Sequence, residues 1–150
     1  HIHHLKISAD SDEKLYASIT HLKILISEIE NKGVPEEVCY KINYQIDKMN
    51  SFANKKEGIL NRQLEITYYR ILYILRRDVG IIPENYYRNL YLALGMSVFG
   101  LPLGALIASF LENTSYLIFG MLFGLAVGIV IGSKKDQIAD KENKVIRVPQ

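Results

Sequence analysis

The chain has 150 residues, of which 49% are hydrophobic, and its formal net charge is +2. A net charge this close to balance gives no reason to expect a nucleic-acid partner, which would normally need a basic face. Cys39 is the only cysteine, which excludes an intramolecular disulfide and a cysteine-based zinc site.

Residues 1–10 are predicted to be a flexible segment, and their HIHH start is treated as a candidate tag remnant. Over 11–82, apolar residues recur at steps of three and four in three stretches, which predicts three amphipathic helices. The stripes are Leu15, Ile19, Leu22, Ile26 and Ile29; Val38, Ile42, Ile46, Met49 and Ala53; and Leu60, Leu64, Tyr68, Ile71 and Leu75.

The connection between the second and third stripes is ambiguous. NKKEG, residues 54–58, interrupts the pattern, which favours a loop but leaves open one long bent helix over 36–79. Helices joined by short turns predict an antiparallel bundle. A bundle of this size has a small core, so we expect it to be supported by a membrane, a partner protein or further copies of itself.

Five tyrosines accompany helices whose apolar stripes are already filled by aliphatic residues. The sequence favours packing of these rings at the edge of the core. The alternative is an exposed aromatic face that binds another protein. The rings belong to Tyr40, Tyr44, Tyr68, Tyr69 and Tyr73.

The second part of the chain is almost free of charge, since residues 89–133 contain a single charged side chain, that of Glu112. Residues 90–111 and 115–133 would span about 33 and 28 Å as helices, against a hydrocarbon core of about 30 Å. We therefore predict an all-α protein in which the bundle is followed by a transmembrane helical hairpin over 83–133. A buried hairpin of a soluble protein is the disfavoured alternative.

Basic residues flank the hairpin at its two ends and are absent from its turn. The positive-inside rule then places both termini in the cytoplasm, with residues 134–150 as a charged cytoplasmic tail. Glu112 is expected to face water at the turn, or in an oligomer to line a pore mouth. The predicted membrane-interface residues are Arg76, Arg77, Tyr86, Tyr87, Arg88, Tyr91, Tyr116, Lys134 and Lys135.

Small residues spaced four apart form two strips, which predict close helix packing because lipid supplies no hydrophobic drive for helix association. The strips either face each other within one hairpin, or one of them contacts a neighbouring subunit. Gly95 and Pro102 also predict a kink near 98–102. The strips are Gly100, Gly104 and Ala108, and Gly120, Gly124, Gly128 and Gly132.

The stretch NLYLALGMSVFGLPLGALIASFLENTSYLIFGMLFGLAVGIVIGSKKDQIADKE, residues 89–142, resembles the hairpin of small bacterial two-transmembrane-helix glycine-zipper membrane proteins. The shared features are GLPLG, a short polar turn, four-spaced glycines and a charged ending. The resemblance implies this topology and a location in the bacterial inner (cytoplasmic) membrane, but no activity.

No pattern in the sequence predicts a catalytic, cofactor-binding or metal site, so we expect a protein that is not an enzyme and has no cofactor. The narrowly favoured hypothesis is an assembly that self-associates through its glycine strips, as a pore-forming or membrane-perturbing effector controlled by the bundle. Its partners are then the lipid bilayer and further copies. The alternative is a membrane-anchored scaffold or regulatory subunit whose bundle docks a larger cytoplasmic protein.

Overall fold

The computed structural model describes residue 2, residues 13–53 and residues 56–148, and it confirms the all-α class. The helices are α1 (Glu13–Lys32), α2 (Glu36–Asn50), α3 (Glu57–Asp78), α4 (Tyr86–Leu94), a π-helix (Gly95–Gly100), α5 (Leu101–Phe110) and α6 (Tyr116–Lys141). Two short strands, β1 (Ile82–Pro83) and β2 (Val145–Ile146), pair with each other.

The chain divides into two compact units. The helical unit comprises His1–Pro83 together with Ile146–Gln150, and the hairpin unit comprises Glu84–Val145. The second unit therefore interrupts the first in sequence, and the chain returns to the helical unit after the hairpin.

The core of the helical unit is built from the predicted stripes, and α3 packs against both α1 and α2. The first stripe is buried throughout, and the second is buried except for Ala53, which is half-buried. In the third stripe Thr67 is buried and Tyr68 is only half-buried.

The segment over 36–79 contains two helices. Past Asn50 the chain continues in a turn, in which the Phe52 N–H donates to the Met49 carbonyl. The Ser51 hydroxyl donates to the Lys48 carbonyl at 2.6 Å. The break therefore begins at Ser51, earlier than the predicted loop at 54–58, and helix α3 starts at Glu57.

The end of the chain belongs to the core of the helical unit. Ile146 is fully buried and Val148 is 8% exposed, and both lie in one apolar cluster with residues of α1, α2 and α3. Arg147 between them is exposed, as the two-residue period of an extended chain requires.

Residues 134–150 were predicted to be a charged tail, and up to residue 148 they include the end of helix α6 at Lys141, a polar turn at 142–143 and strand β2. The predicted flexible segment 1–10 lies outside the described residues except for Ile2, which is buried in the same cluster.

An ion pair links α2 to α3 at the surface of the helical unit. The Lys41 ammonium donates to Glu37 Oε1 and to Asp78 Oδ2, each at 2.8 Å. The hydrogen bond from Lys41 lowers the pKa of Asp78, and the same bond raises the pKa of Lys41.

We expect Lys41→Met to lower the melting temperature of the helical unit at neutral pH and to have no effect in acid. A carboxyl group with a lowered pKa stabilises the fold above its ordinary pKa, here 3.8, and loses this contribution as the pH falls through the lowered value. Thermal unfolding followed by circular dichroism from pH 2 to 7 measures the effect. Lys48→Met, an exposed change on the same helix, is the control, and a Lys41→Met deficit that persists at pH 2 would contradict the assignment.

The first hairpin helix runs without interruption from Tyr86 to Phe110 through α4, the π-helix and α5. The irregularity predicted near 98–102 takes the form of the π-helical turn. At its end the Leu101 N–H donates to the Met96 carbonyl, five residues back. The wider turn comes immediately before Pro102, which has no N–H to donate.

Both hairpin helices are long and apolar enough to cross a membrane, by length and composition alone. They have 25 and 26 residues, and 17% and 22% of their most apolar windows are buried within the chain. The core helix of a soluble protein passes the same test of length and composition but is mostly buried, whereas these two helices are mostly exposed within the chain.

Candidate functional site

The two hairpin helices touch through glycine backbone. Gly95, Gly100 and Gly104 of the first helix are buried against α6. A Cβ atom added to Gly104 would lie 2.6 Å from the Leu117 carbonyl oxygen, nearer than side chains approach backbone atoms. The helix surfaces therefore meet without intervening side chains at these positions.

The glycines of α6 fit against the first helix in antiparallel order. Gly132 faces the backbone of Arg88, and Gly128 faces that of Tyr91. Further along, Gly124 faces Gly95 and Gly100, while Gly120 faces Gly100 and Gly104. Ala108, the last member of the predicted first strip, is half-buried.

This geometry bears on the two arrangements that the sequence left open. All four glycines of α6 and both glycines of the predicted first strip are covered by the other helix of the same chain. Within the single chain, the strips therefore face each other across the hairpin. Contact of a strip with a neighbouring subunit stays a prediction.

Asp136 joins the charged ends of the two helices. Its carboxylate accepts hydrogen bonds from the backbone N–H groups of Tyr87 at 2.9 Å and Arg88 at 2.8 Å. Asn85, the N-cap residue of α4, has a left-handed backbone with φ of 59° and makes no capping hydrogen bond through its side chain. Asp136 thus supplies the acceptor that the first turn of α4 lacks locally.

Lys135 stacks on the same end of the hairpin. Its ammonium lies 5.6 Å from the centre of the Tyr87 ring and 5.0 Å from that of Tyr91, within cation–π range. From the sequence, Lys135 and these tyrosines were predicted only as interface residues, and Asp136 was not predicted. A signal was present, because Asp136 follows Gly132 by four residues and so continues the glycine series toward the facing helix.

We expect Asp136→Ala to loosen the first turn of α4 and to destabilise the hairpin by about 1 kcal/mol, the usual effect of losing a helix cap. Hydrogen exchange at the amides of Tyr87 and Arg88 measures it directly, and both should lose protection. Asp140→Ala, an exposed change one turn later on α6, is the matched control. Equal protection of the two amides in both variants would rule out the capping role.

The turn at the other end of the hairpin is ordered by backbone hydrogen bonds. Glu112 is exposed, and its φ of 51° lies in the left-handed region. The next residue, Asn113, donates its N–H to the Ala108 carbonyl at 3.0 Å and accepts from the Ser115 N–H at 3.0 Å. Glu112 is therefore accessible to water, and a role at a pore mouth stays a prediction.

The predicted interface residues are distributed over both units. Arg76 and Arg77 lie in the last turn of α3, in the helical unit. The other seven belong to the hairpin unit, where Tyr116 at the turn lies against the ring of Phe119. They are Tyr86, Tyr87, Arg88, Tyr91, Tyr116, Lys134 and Lys135.

Four of the five tyrosines that the sequence predicted at the edge of the core do not lie there. Tyr68 is half-buried, as that interpretation predicted, and its ring meets that of Tyr69 edge-on. The other four are between 52% and 75% exposed, because they lie on the sides of α2 and α3 that point away from the buried stripes. These four are Tyr40, Tyr44, Tyr69 and Tyr73.

The described residues offer little that suggests chemistry. They contain no group of three histidine, cysteine, aspartate or glutamate residues that could hold a metal ion. An open hollow of about 380 Å³ on α5 is lined by Leu106, Ile107, Phe110 and Leu111, and its wall is almost entirely apolar. No protein-family model, curated protein or solved structure matches this chain, so its function is argued from this geometry.

Proposed function

We propose that this chain is an integral membrane protein in which the hairpin is the anchor and the helical unit docks a partner protein, as a scaffold or regulatory subunit. By the positive-inside rule and the resemblance of residues 89–142, the membrane is the bacterial inner membrane and the helical unit, an antiparallel bundle, is cytoplasmic.

The observation that carries the anchor is the outer surface of the hairpin. Within residues 90–133, nine large apolar side chains are more than half exposed, and an exposed apolar surface of this extent requires a cover. Two adjacent helices that contain uncharged stretches of membrane length favour acyl chains as that cover. The side chains are Val98, Phe99, Leu106, Phe110, Ile118, Phe119, Leu122, Phe123 and Val130.

The path of the chain supports a hairpin that crosses twice. The chain leaves the helical unit after Pro83 and rejoins its core at Ile146. Two crossings return a chain to the side from which it started, whereas one crossing would separate Ile146 from the core in which it is buried.

The use of the glycines favours the docking subunit over the glycine-zipper assembly. An assembly through these strips would compete with contacts that already close the hairpin. The exposed tyrosines of the helical unit offer a docking surface, since tyrosine is enriched where proteins bind each other.

A self-associating, pore-forming effector is the second candidate, and one observation favours it. Four small residues spaced along the first hairpin helix are exposed, which permits close approach of a second copy. They are Ala93, Ser97, Ala105 and Ser109.

Cysteine labelling tests the anchor. In a Cys39→Ser background, single cysteines are placed at Ser51, Thr114 and Glu142 and labelled in sealed vesicles with a maleimide that cannot cross membranes. We expect positions 51 and 142 to label from one side and position 114 from the other. Labelling of all three from one side, or extraction of the protein by alkaline carbonate, would overturn the proposal.

The mass of the protein in nanodiscs, measured by light scattering, separates the two candidates. A monomer supports the docking subunit. A defined oligomer that dissociates in Ala105→Leu, while the hairpin keeps its hydrogen-exchange protection, supports self-association through the outer surface.

For docking, a photo-crosslinking residue at Tyr44 should give a discrete adduct in the native cells, and one at the exposed Lys23 on α1 should not.

A further inference from the structure

The outer side of α3 carries arginine and tyrosine in a continuous strip. The residues of this strip follow one another at intervals of seven, four, three and one positions in the sequence. They lie on the opposite side of the helix from the buried residues Leu64 and Ile71. Tyr69 is 68% exposed and Tyr73 is 52% exposed. We call this surface the arginine–tyrosine face; it consists of Arg62, Tyr69, Tyr73, Arg76 and Arg77.

The charge of this face is strongly positive. Arg70 and Glu65 are both exposed, and they lie at the two opposite borders of the face. Asp78, at the end of the helix, is already engaged by Lys41 at 2.8 Å and by Arg77 at 3.5 Å. The Arg76 guanidinium lies 5.7 Å from the centre of the Tyr73 ring, within cation–π range, so the charge and the ring are adjacent on this face.

We propose that the arginine–tyrosine face binds the headgroups of anionic phospholipids. Arginine matches phosphate geometry with two parallel N–H donors, and tyrosine is enriched at membrane–water boundaries. The inference rests on the proposed membrane anchor, which starts at Tyr86. Arg77 precedes that residue by nine positions, so the face ends in the juxtamembrane stretch where clustered basic residues recognise anionic lipid.

The outer side of α2 provides a contrast within the same unit. Tyr40 and Tyr44 are exposed there in the same four-residue spacing, but the neighbouring acids Glu36, Glu37 and Asp47 outnumber the neighbouring Lys41 and Lys48. This side therefore lacks the net positive charge that anionic headgroups attract, and it stays available to a protein partner. Two faces with matched tyrosine pairs and different charge make an internal control.

The test uses the absence of tryptophan from the sequence. Tyr73→Trp in the full-length chain gives a single fluorescent reporter on the face, and Tyr44→Trp gives the matched reporter on α2. Each variant is placed in nanodiscs of phosphatidylcholine alone and of phosphatidylcholine with phosphatidylglycerol as a third of the lipid. Acrylamide, a neutral quencher, then reports the exposure of each reporter.

With phosphatidylglycerol present, we expect quenching of the residue 73 reporter to fall about threefold and to recover in molar salt, because screening weakens binding to anionic headgroups. The residue 44 reporter should not change. The double change Arg62→Glu and Arg70→Glu should abolish the effect. The matched double change Lys23→Glu and Lys48→Glu, with the same alteration in net charge, should preserve it.

The outcomes separate this inference from the anchor. Failure of the chain to enter either nanodisc overturns the proposed function. Entry into both nanodiscs with equal quenching at residue 73 overturns the lipid-binding face and leaves the anchor intact. Protection that is equal in both lipids and rises with protein concentration means that a second copy covers the face, which also overturns it.

Discussion

Gly124→Leu is expected to force the two hairpin helices apart and to cost on the order of 3 kcal/mol, at the upper end of the usual range for overpacking. A Cβ atom at this position would collide with the Gly95 carbonyl oxygen and lie 2.7 Å from the Gly100 Cα. Both are backbone atoms, so no rotamer change relieves the contact. The higher helix propensity of leucine returns only about 1 kcal/mol.

The matched control is Ala126→Leu. Ala126 lies two residues further along α6 and is exposed, so the added side chain meets no backbone of the facing helix. Unfolding of the protein in increasing dodecyl sulfate, followed by circular dichroism, compares the two variants. Hydrogen exchange of the amides from Gly95 to Gly104 should accelerate in Gly124→Leu alone. Equal stability of the two variants would show that the glycine contacts do not hold the hairpin together.

The packing of Gly124 within one chain also affects the interpretation of oligomer measurements on glycine variants. Since Gly124 closes the hairpin within one chain, loss of an oligomer in a glycine variant would not by itself locate a subunit interface. Ala105→Leu probes a residue that is exposed on the first hairpin helix, and it leaves the glycine contacts in place. The two variants together separate the folding of the hairpin from its association.

The parts of the fold that follow from local periodicity were predictable. Leu15, Ile42 and Leu64 belong to stripes with a helical repeat, and each is buried as that repeat requires. The spacing of Gly120 and Gly124 likewise indicated a smooth packing surface. It left the partner of that surface open, because a strip of glycines fits a second copy as well as the other arm of the hairpin.

The remaining features depend on contacts between distant residues. The pattern around Ile146 and Val148 is only one extended repeat long, too short for periodicity to predict what it packs against. Asp136 caps α4 because the register of the two hairpin helices places it beside Tyr87, which lies 49 residues earlier in the sequence. In the π-helix, glycine and proline indicated an irregularity, but its form depends on the backbone hydrogen bond between Leu101 and Met96.

Ile146→Ala is expected to destabilise the helical unit by about 2–4 kcal/mol, although the residue follows the whole hairpin in sequence. Ile146 is fully buried in one cluster with residues of α1, α2 and α3. Removing its outer carbons leaves a cavity at the centre of a small core. A loss of that size is a large part of the stability available to such a unit.

Hydrogen exchange of the whole protein in nanodiscs locates the effect. Amides in the middle of α2 and α3 should lose protection in Ile146→Ala, while those beside Gly120 and Gly128 keep it. Arg147→Ala is the control, since Arg147 is the exposed neighbour of the same segment. Unchanged exchange in α2 and α3 would show that the core forms without the chain end.

The expected result has a consequence for biogenesis. The first 83 residues leave the ribosome before the hairpin, yet their core lacks Ile146 until the second hairpin helix has been made. A hairpin that crosses twice delivers Ile146 to the side where the helical unit lies, and a chain that crosses once does not. Truncation before Val145 should therefore leave α1, α2 and α3 as sensitive to protease as Ile146→Ala does, or more so. A truncated protein with a fully protected helical unit would refute this coupling of folding to insertion.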